Sequence, residues 1–199
     1  MGILPTFAAN CSIMIYPIVA LGIPVLKERA ADIAPGSIDL KTLISDMFET
    51  MYNASGVGLA APQIGKGIRL FVIDAEPMDE ELLKGAKMVF VNPQMLEEEG
   101  DKWPYEEGCL SLPGIREEVK RPERITLRYE DENGQQHTQT FDGMLARVIQ
   151  HEYDHLEGKL FIDYLSPFRK KLIQNRISDI LKGKAKAEYP IRFAPQGRR

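Results

Sequence analysis

The sequence predicts an α+β fold in which mixed or antiparallel strands surround a central helix, with a long helix near the C-terminus. The predicted elements run in the order helices, strands, helices, and strict alternation of strands with helices is absent. Hydrophobic residues make up 44% of the chain and charged residues 27%, which is typical of a globular protein. A chain of 199 residues can therefore form one domain with a single core.

A short helical stretch is predicted at residues 25–33, and three longer helices are indicated by apolar residues that recur at helical spacing. The first covers about residues 39–53, the second residues 144–156 and the third residues 167–182. Ser166 is a typical N-cap for the third helix, and Gly183 lies just past its end. Each helix is expected to bury one face, and the stripe of the third consists of Phe168, Leu172, Ile173, Ile177, Ile180 and Leu181.

Four short segments have the patterns of β-strands. Residues 69–74 and 88–92 are apolar runs, and residues 124–130 alternate apolar and polar side chains. Residues 137–141 return after Asn133-Gly134, a dipeptide typical of tight hairpin turns. The last two strands are therefore predicted to pair in antiparallel fashion.

The two ends of the chain set the predicted domain boundaries. Residues 1–13 contain no Lys or Arg, and we interpret them as a leader or as a segment added before the native start at Met14. Residues 14–183 are predicted to form a single domain. Residues 184–199 contain two prolines and a glycine and are expected to form a flexible tail.

Charge, hydropathy and cysteine content exclude several classes of partner. The net charge of −4 is not concentrated in a long block of one sign, so no specific DNA partner is expected. No apolar run approaches the roughly 18 residues of a transmembrane helix, so no membrane association is predicted. Two cysteines do not make a disulfide scaffold, which favours a reducing compartment such as the cytoplasm.

The second helix contains His151-Glu152-Tyr153-Asp154-His155, an H-E-x-x-H motif. Residues four positions apart share one face of a helix, so His151 and His155 can hold one metal ion. The Glu152 carboxylate lies beside them and can act as a general acid/base without being a ligand. The central helix is therefore predicted to be metal-binding, and residues 14–183 to form a single catalytic metallohydrolase domain.

The sequence after the motif does not supply a third ligand. Phe161 stands where a metzincin has its third histidine, and residues 167–182 contain no Glu that could complete a thermolysin-like site. Upstream, Cys109 lies in a segment punctuated by Gly and Pro, where its thiolate can reach an ion. Cys109 is therefore the favoured third ligand, and His137, in the returning hairpin strand, is the alternative.

Three segments together resemble the signature motifs of the peptide deformylase family, in the family's order. They are Gly56-Val57-Gly58-Leu59-Ala60-Ala61-Pro62-Gln63, Glu107-Gly108-Cys109-Leu110-Ser111 and Gln150-His151-Glu152-Tyr153-Asp154-His155. The resemblance covers roughly residues 14–182, and the long C-terminal helix is similar to that of many Gram-negative members. It implies an enzyme that hydrolyses the N-formyl group from the formyl-methionine of newly made polypeptides and releases formate.

The resemblance also implies roles for individual residues. It implies metal ligation by Cys109, His151 and His155, catalysis by Glu152, and oxyanion stabilisation by the Gln63 side chain and the Leu110 backbone N–H. One divalent metal per chain is expected, natively Fe²⁺, with Ni²⁺, Co²⁺ or Zn²⁺ as substitutes. The residues implied to lie near the substrate are Gly56, Val57, Gly58, Glu107, Gly108, Arg116, Met144, Arg147 and Val148.

Some of these residues also have a purely structural interpretation. Met144 and Val148 are typical core residues of a helix, and Glu107 with Arg116 could be an ion pair that only holds its loop. The expected partners are N-formylmethionyl peptides and nascent chains, with a ribosome contact through the basic C-terminal helix. Two other functions stay open at this stage, namely a metallopeptidase that cuts internal peptide bonds and a non-catalytic domain stabilised by its metal.

Overall fold

The computed structural model describes residues 13–79, 81 and 83–196, so the expected leader lies outside the described residues except for Ile13. The strands are β1 (Ile18–Val19), β2 (Gly58–Ala60), β3 (Leu70–Asp74), β4 (Lys87–Gly108), β5 (Arg116–Glu130), β6 (Gln136–Asp142) and β7 (Ile191–Arg192). The helices are α1 (Leu40–Asn53), α2 (Gly143–Leu156), α3 (Pro167–Leu172) and α4 (Gln174–Leu181), with short 3₁₀-helices at Pro24–Lys27, Ala61–Ile64, Glu76–Met78 and Phe161–Tyr164. None of the helices in the described residues is long and apolar enough to cross a bilayer.

Five strands form an antiparallel sheet in the order β2-β3-β4-β5-β6. Because consecutive strands are neighbours, the sheet is built from local connections and needs no helical crossover. A second sheet of two strands pairs β1 with β7 in parallel. Helices combined with antiparallel and parallel strand pairs confirm the predicted α+β class.

The sheet is covered on both faces in the region of β3, which explains the continuous apolar run of that strand. Successive side chains of a strand point to opposite faces. Val72 packs in the cluster that contains Met47 and Met51 of α1, whereas Phe71 and Ile73 pack in the cluster of α2. Burial of each such side chain stabilises the fold by about 1.5–3 kcal/mol.

Helix α2 packs against the sheet in the interior of the protein. Ala146, Ile149 and Leu156 are fully buried at helical spacing and share a cluster with Phe71 of β3 and Ile125 of β5. This packing fixes the rotation of the helix about its axis. The polar H-E-x-x-H positions are therefore held at a set orientation relative to the sheet.

The hairpin of β4 and β5 is much longer than the sequence indicated. The predicted strands covered only residues 88–92 and 124–130, whereas pairing continues until Gly108 lies opposite Arg116. Register shifts at three points between Val91 and Lys102 interrupt the alternation of side chains in β4, and the charged Glu117 and Arg121 occupy inward positions of β5. The polar half of the hairpin, residues 96–108 and 116–123, therefore carries no clear strand signal. The extension turns the start of the predicted cysteine loop into a strand that ends directly before Cys109.

The long C-terminal helix is divided at Ile173 into α3 and α4. The Ser166 hydroxyl caps α3 by accepting the Arg169 N–H at 3.3 Å, as its N-cap position predicts. The predicted apolar stripe is buried at Ile173 but exposed at Phe168 and Leu172. Ile177 and Ile180 of α4 pack in the same core cluster as Ile173, whereas α3 lies at the surface and Leu181 is exposed.

The prediction of a flexible C-terminal tail is corrected for residues 184–196. Strand β7 pairs with β1, and Ile191 and Phe193 pack against the core cluster that contains Leu112 and Phe161. Pro190 directly precedes β7, and its carbonyl accepts the Ile18 N–H at 2.8 Å. The apolar residues Ile191 and Phe193, which lie between the two prolines, indicate this packing, but the proline and glycine content of the segment suggested a loose tail. Residues 197–199 lie outside the described part of the chain.

Candidate active site

Three potential metal ligands converge between α2 and the end of β4. His151 and His155 are one turn apart on α2, and Cys109 follows the last residue of β4. The donor atoms of all three lie within 4.8 Å of one another, and Cys109 Sγ is 3.3 Å from His155 Nε2. One sulfur and two imidazole nitrogens at this spacing fit a single transition-metal ion.

The alternative third ligand, His137, lies on β6 and has other partners. Its Nε2 is 2.9 Å from Asp131 Oδ2, and its ring stacks on Tyr129 with the ring centroids 5.3 Å apart. The structure therefore brings Cys109, and not His137, to the two helical histidines.

Glu107 orients His151 from the end of β4. Glu107 Oε2 accepts a hydrogen bond from His151 Nδ1 at 2.9 Å, which leaves Nε2 of that ring for a metal. Arg121 of β5 donates to both carboxylate oxygens, and Arg147 of α2 donates to Oε1. Burial alone would raise the pKa of Glu107, but the bonds from His151 and Arg121 outweigh burial and hold that pKa well below its ordinary value.

Asp154 completes the network around the two arginines. Arg121 Nη1 donates to Asp154 Oδ2 at 2.6 Å, and the Tyr164 hydroxyl donates to Asp154 Oδ1 at 2.8 Å. Two buried carboxylates, Glu107 and Asp154, thus balance two buried guanidinium groups, Arg121 and Arg147. A buried ionic cluster persists only when its charges and donors are matched in this way.

Glu152 is a buried carboxylate beside the three ligands. It lies so close to Gly58 that a Cβ atom at that glycine would stand 2.4 Å from Glu152 Oε1. Glu152 Oε2 is buried and has no hydrogen-bond partner among the described residues. Burial is the largest cause that raises the pKa of Glu152, to about 7. A buried carboxylate without a partner is costly, so this oxygen fits a site that receives a cation and water.

The two histidines have opposite pKa shifts. Burial lowers the pKa of His155 well below its ordinary value and keeps its ring in the neutral form that metals bind. Burial would also lower the pKa of His151, but its hydrogen bonds with Cys109 and Glu107 outweigh burial and raise that pKa. Surroundings that stabilise a proton on His151 would also stabilise a metal cation there, because both are positive charges.

Gln63 and Leu110 flank the sulfur of Cys109. Gln63 lies in the 3₁₀-helix Ala61–Ile64, and its Oε1 accepts the Ala60 N–H at 2.8 Å. That bond fixes the amide so that Gln63 Nε2 points toward Cys109 Sγ at 3.6 Å. Leu110 directly follows the cysteine, and its carbonyl accepts a hydrogen bond from the Tyr189 hydroxyl at 2.8 Å. The Gln63 amide N–H therefore lies beside the cysteine sulfur, and Leu110 lines the cavity next to it.

Comparison with known proteins agrees with this geometry. The model of the polypeptide deformylase family matches residues 15–171, which is well over half of the chain. The chain belongs to the polypeptide deformylase family. Peptide deformylases are metal-dependent hydrolases that remove the N-formyl group from nascent peptides, and the chain is an enzyme of this class.

Individual deformylases match over most of their length. The peptide deformylase of Cytophaga hutchinsonii is 53% identical over 180 residues, covering 90% of this chain and 98% of that protein. The crystal structure of the Legionella pneumophila deformylase is 39% identical with a TM-score of 0.75, covering 87% of this chain and all of that one. That of Thermotoga maritima is 41% identical with a TM-score of 0.70, covering 77% of this chain and 99% of that one.

The cavity of this deformylase has a volume of about 510 Å³ and opens beside the ligands. All nine residues that the resemblance implied near the substrate line it, together with Gln63, Cys109, Leu110, His151 and Glu152. Val148 is also a buried residue of the core cluster of α2, so its structural and pocket-lining interpretations both hold. The lining residues that the sequence did not indicate include Ser55, Met78, Tyr105, Ile115 and Tyr189.

The expected ion pair between Glu107 and Arg116 is corrected. Arg116 Nε pairs with Glu106 Oε1 at 2.9 Å, and both side chains are 65% exposed at the mouth of the cavity. Neighbouring residues of a strand point to opposite sides, so Glu106 faces solvent while Glu107 faces the interior. The guanidinium of Arg147 is likewise engaged inside the protein, since it also donates to the backbone carbonyls of Trp103 and Val119.

Arg121 and Tyr189 are functional neighbours that sequence reasoning missed. Arg121 lies in the polar half of β5, where nothing distinguishes it from the exposed charges around it. Its burial depends on pairing β5 with β4 in a register that the sequence does not reveal. Tyr189 lies in a segment interpreted as a tail, and only the β1–β7 pairing brings it to the site.

Proposed function

We propose that the chain deformylates N-formylmethionyl peptides and nascent chains at a metal centre held by Cys109, His151 and His155. The observation that carries the proposal is the convergence of these donors with the buried, unpaired carboxylate of Glu152 at one open cavity. Three donors from the described residues leave one tetrahedral position for water or substrate, which is typical of catalytic and not of structural sites.

Glu152 is the proposed general acid/base. A divalent cation bound by the three ligands would supply Lewis acidity and lower the pKa of a coordinated water from about 15.7 towards about 7. Glu152 would accept the proton of the attacking water and pass it to the amine that leaves the formyl carbon. The products are formate and a free α-amine.

Gln63 and Leu110 are the proposed donors for the formyl oxygen. Negative charge develops on that oxygen during the attack, and the Gln63 Nε2 and Leu110 N–H groups can stabilise it by hydrogen bonding. The Ala60 bond that fixes the Gln63 amide means that this donor needs no reorientation during the reaction. Loss of one such donor commonly lowers the rate by about 10²–10³.

The donor set supports a first-row transition metal, and the family resemblance implies Fe²⁺ as the native one, with Ni²⁺, Co²⁺ or Zn²⁺ as substitutes. A soft thiolate with two imidazoles suits a first-row transition metal better than Mg²⁺ or Ca²⁺. Both Cys109 and Fe²⁺ can be oxidised, so the iron-loaded enzyme should lose activity in air faster than the nickel-loaded enzyme. Equal air stability of the two forms would argue against iron.

The cavity supports a peptide substrate whose methionine side chain is buried. Val57, Met144 and Val148 offer an apolar surface for that side chain. Gly56 and Gly58 line the cavity without side chains of their own, so an extended peptide can approach this stretch of main chain and pair with it. These contacts account for a substrate that is recognised mainly by its N-terminal residue and its backbone.

Formate release from formyl-Met-Ala-Ser by the metal-loaded enzyme tests the function directly. We expect turnover of this peptide, no cleavage of casein, and no formate release by the Glu152→Gln variant. A chelator should abolish activity while the far-ultraviolet circular dichroism stays native, because the core clusters do not depend on the metal. Cleavage of casein would indicate a metallopeptidase instead, and unfolding by the chelator would indicate a structural metal site.

We also propose that the enzyme acts in the cytoplasm and that it contacts the ribosome. The exposed Phe168 and Leu172 of α3 lie among basic residues that include Lys170, Lys171 and Arg176. Such a surface suits an anionic partner such as ribosomal RNA. Neutralising the three basic residues should weaken sedimentation with ribosomes, and unchanged sedimentation would refute the contact.

A further inference from the structure

The loop that follows β4 is held by hydrogen bonds to three consecutive carbonyls. The carbonyl of Cys109 accepts the Leu112 N–H at 2.9 Å, which closes a turn within the loop. The carbonyl of Leu110 accepts the Tyr189 hydroxyl at 2.8 Å. The carbonyl of Ser111 accepts the N–H of Leu21 at 2.9 Å. One bond is therefore local, whereas the other two come from segments near opposite ends of the chain.

Those two segments are joined to each other. Leu21 follows β1 and Tyr189 precedes β7, and β1 and β7 form the two-stranded parallel sheet. Its flanking backbone bonds run from the Ile18 N–H to the Pro190 carbonyl at 2.8 Å and from the Ala20 N–H to the Arg192 carbonyl at 2.9 Å. The two outer bonds to the loop thus arise from one small structural unit.

We propose that Tyr189 is a positioning residue of the deformylation reaction, acting through Leu110. Its hydroxyl holds the peptide group between Leu110 and Ser111, and the Leu21 bond holds the next carbonyl. The Leu110 N–H belongs to the preceding peptide group, whose Cys109 carbonyl accepts the Leu112 N–H. Because the peptide groups on both sides of Leu110 are held, the conformation of Leu110 is set, and so is the direction of its N–H. This inference rests on the proposed function, because it assigns the Leu110 N–H to the formyl oxygen.

The geometry favours the hydroxyl over the ring as the functional part of Tyr189. The ring is half-buried and packs against the core cluster of α1 together with Leu110, so it contributes packing of the ordinary kind. The hydroxyl bonds the main chain of the proposed oxyanion donor, one residue after the metal ligand Cys109. Tyr189 lies beyond residues 15–171, which the family model matches, so its contribution comes from this chain's own C-terminal segment.

Tyr189→Phe separates the hydroxyl from the ring. Tyr52→Phe is the matched control, because the Tyr52 hydroxyl donates to Asp74 Oδ2 at 2.6 Å and Tyr52 does not line the cavity. Loss of an oxyanion donor costs about 10²–10³ in rate, and a misdirected donor should cost less. We therefore expect kcat per bound metal to fall by about 5- to 20-fold in Tyr189→Phe, with KM for formyl-Met-Ala-Ser changed by less than about twofold.

Hydrogen exchange gives a readout that does not depend on turnover. The Leu112 N–H closes the loop's turn and is buried, so its exchange reports opening of the loop. We expect this exchange to be at least about 5-fold faster in Tyr189→Phe and unchanged in Tyr52→Phe.

Three results would overturn the inference. The first is a Tyr189→Phe variant with native kcat and native Leu112 exchange. The second is a loss of activity in this variant that is fully explained by loss of metal. The third is a change in its KM while kcat stays native. The last result would mean that the hydroxyl contacts the substrate. If the wild-type enzyme released no formate, the proposed function would fail, whereas the exchange experiment would still decide whether Tyr189 orders the loop.

Discussion

Replacing Glu107 by Gln should weaken both the fold and the metal site. The carboxylate accepts four hydrogen bonds from buried donors. Oε1 accepts from Arg121 Nε and Arg147 Nη1, and Oε2 accepts from Arg121 Nη2 and His151 Nδ1. An amide NH₂ at either position would face two donors. The variant would also leave the two buried arginines with Asp154 as the only carboxylate of the cluster.

The magnitude follows from breaking a buried ionic cluster. Removing one partner of a buried ion pair costs about 3–5 kcal/mol, and Gln retains one acceptor, so we expect about 3 kcal/mol. For a protein of this size, 1 kcal/mol shifts Tm by about 2–4 °C, which predicts a fall of about 6–12 °C. Because His151 loses the group that fixes its orientation, metal affinity should fall by about 10- to 100-fold.

Glu106→Gln is the matched control for this experiment. Glu106 neighbours Glu107 in β4, but its partner is Arg116 and both side chains are 65% exposed. An exposed ion pair contributes about 0–1 kcal/mol, so Tm should fall by less than about 4 °C. Scanning calorimetry and competition with a metal-chelating dye measure both quantities. Equal Tm shifts in the two variants, or an unchanged metal affinity in Glu107→Gln, would refute the proposed role of Glu107.

Further variants test the groups next to the ligands. Gly58→Ala should lower kcat by about 10²-fold with a native fold, because its Cβ would displace the Glu152 carboxylate, whereas Gly67→Ala, whose Cβ makes only an ordinary contact at 3.6 Å, should not. Cys109→Ala should lose tight metal binding, as measured by metal content after dialysis, and full metal content would exclude the thiolate as a ligand. In metal-free protein, folded Glu152 keeps its proton up to about pH 7, whereas an unfolded Glu releases it near 4.5. The stability of the wild type should therefore fall as pH rises through that window, and the stability of Glu152→Gln should fall by less. If Tm changed with pH in the same way in both proteins, the raised pKa of Glu152 would be contradicted.

The elements that the sequence predicted well are those with one dominant periodicity. Helix α1 begins after Asp39, whose carboxylate accepts the Thr42 N–H, and it buries the predicted stripe. Helix α2 differs from its predicted start by one residue. In both helices the apolar periodicity and the buried face favour the same structure, and in α1 the Asp39 cap favours it as well. Such agreement makes a segment predictable from sequence alone.

The parts that were missed depend on contacts between distant residues. The polar half of the β4–β5 hairpin is held by pairing across the strands, and the buried Glu117 and Arg121 stand where the inner face of a strand usually has apolar side chains. Strand β7 has only two residues and exists because β1 lies beside it. At residues 25–33 the sequence predicts a helical stretch, but the structure has only the 3₁₀-helix Pro24–Lys27. The chain beyond it is extended, because Ala31 pairs with Ile68. Local patterns carry no information on such partners.

The same distinction explains which part of the site was readable. His151, Glu152 and His155 are local to one helix, and their spacing alone implies a metal. Arg121 and Tyr189 act at long range, because each orients a residue that itself orients the chemistry. Such positioning groups have no motif of their own, since any donor at that point in space would serve. The chemical groups of a metal site can thus be identified in sequence, whereas the residues that hold them must be found in the fold.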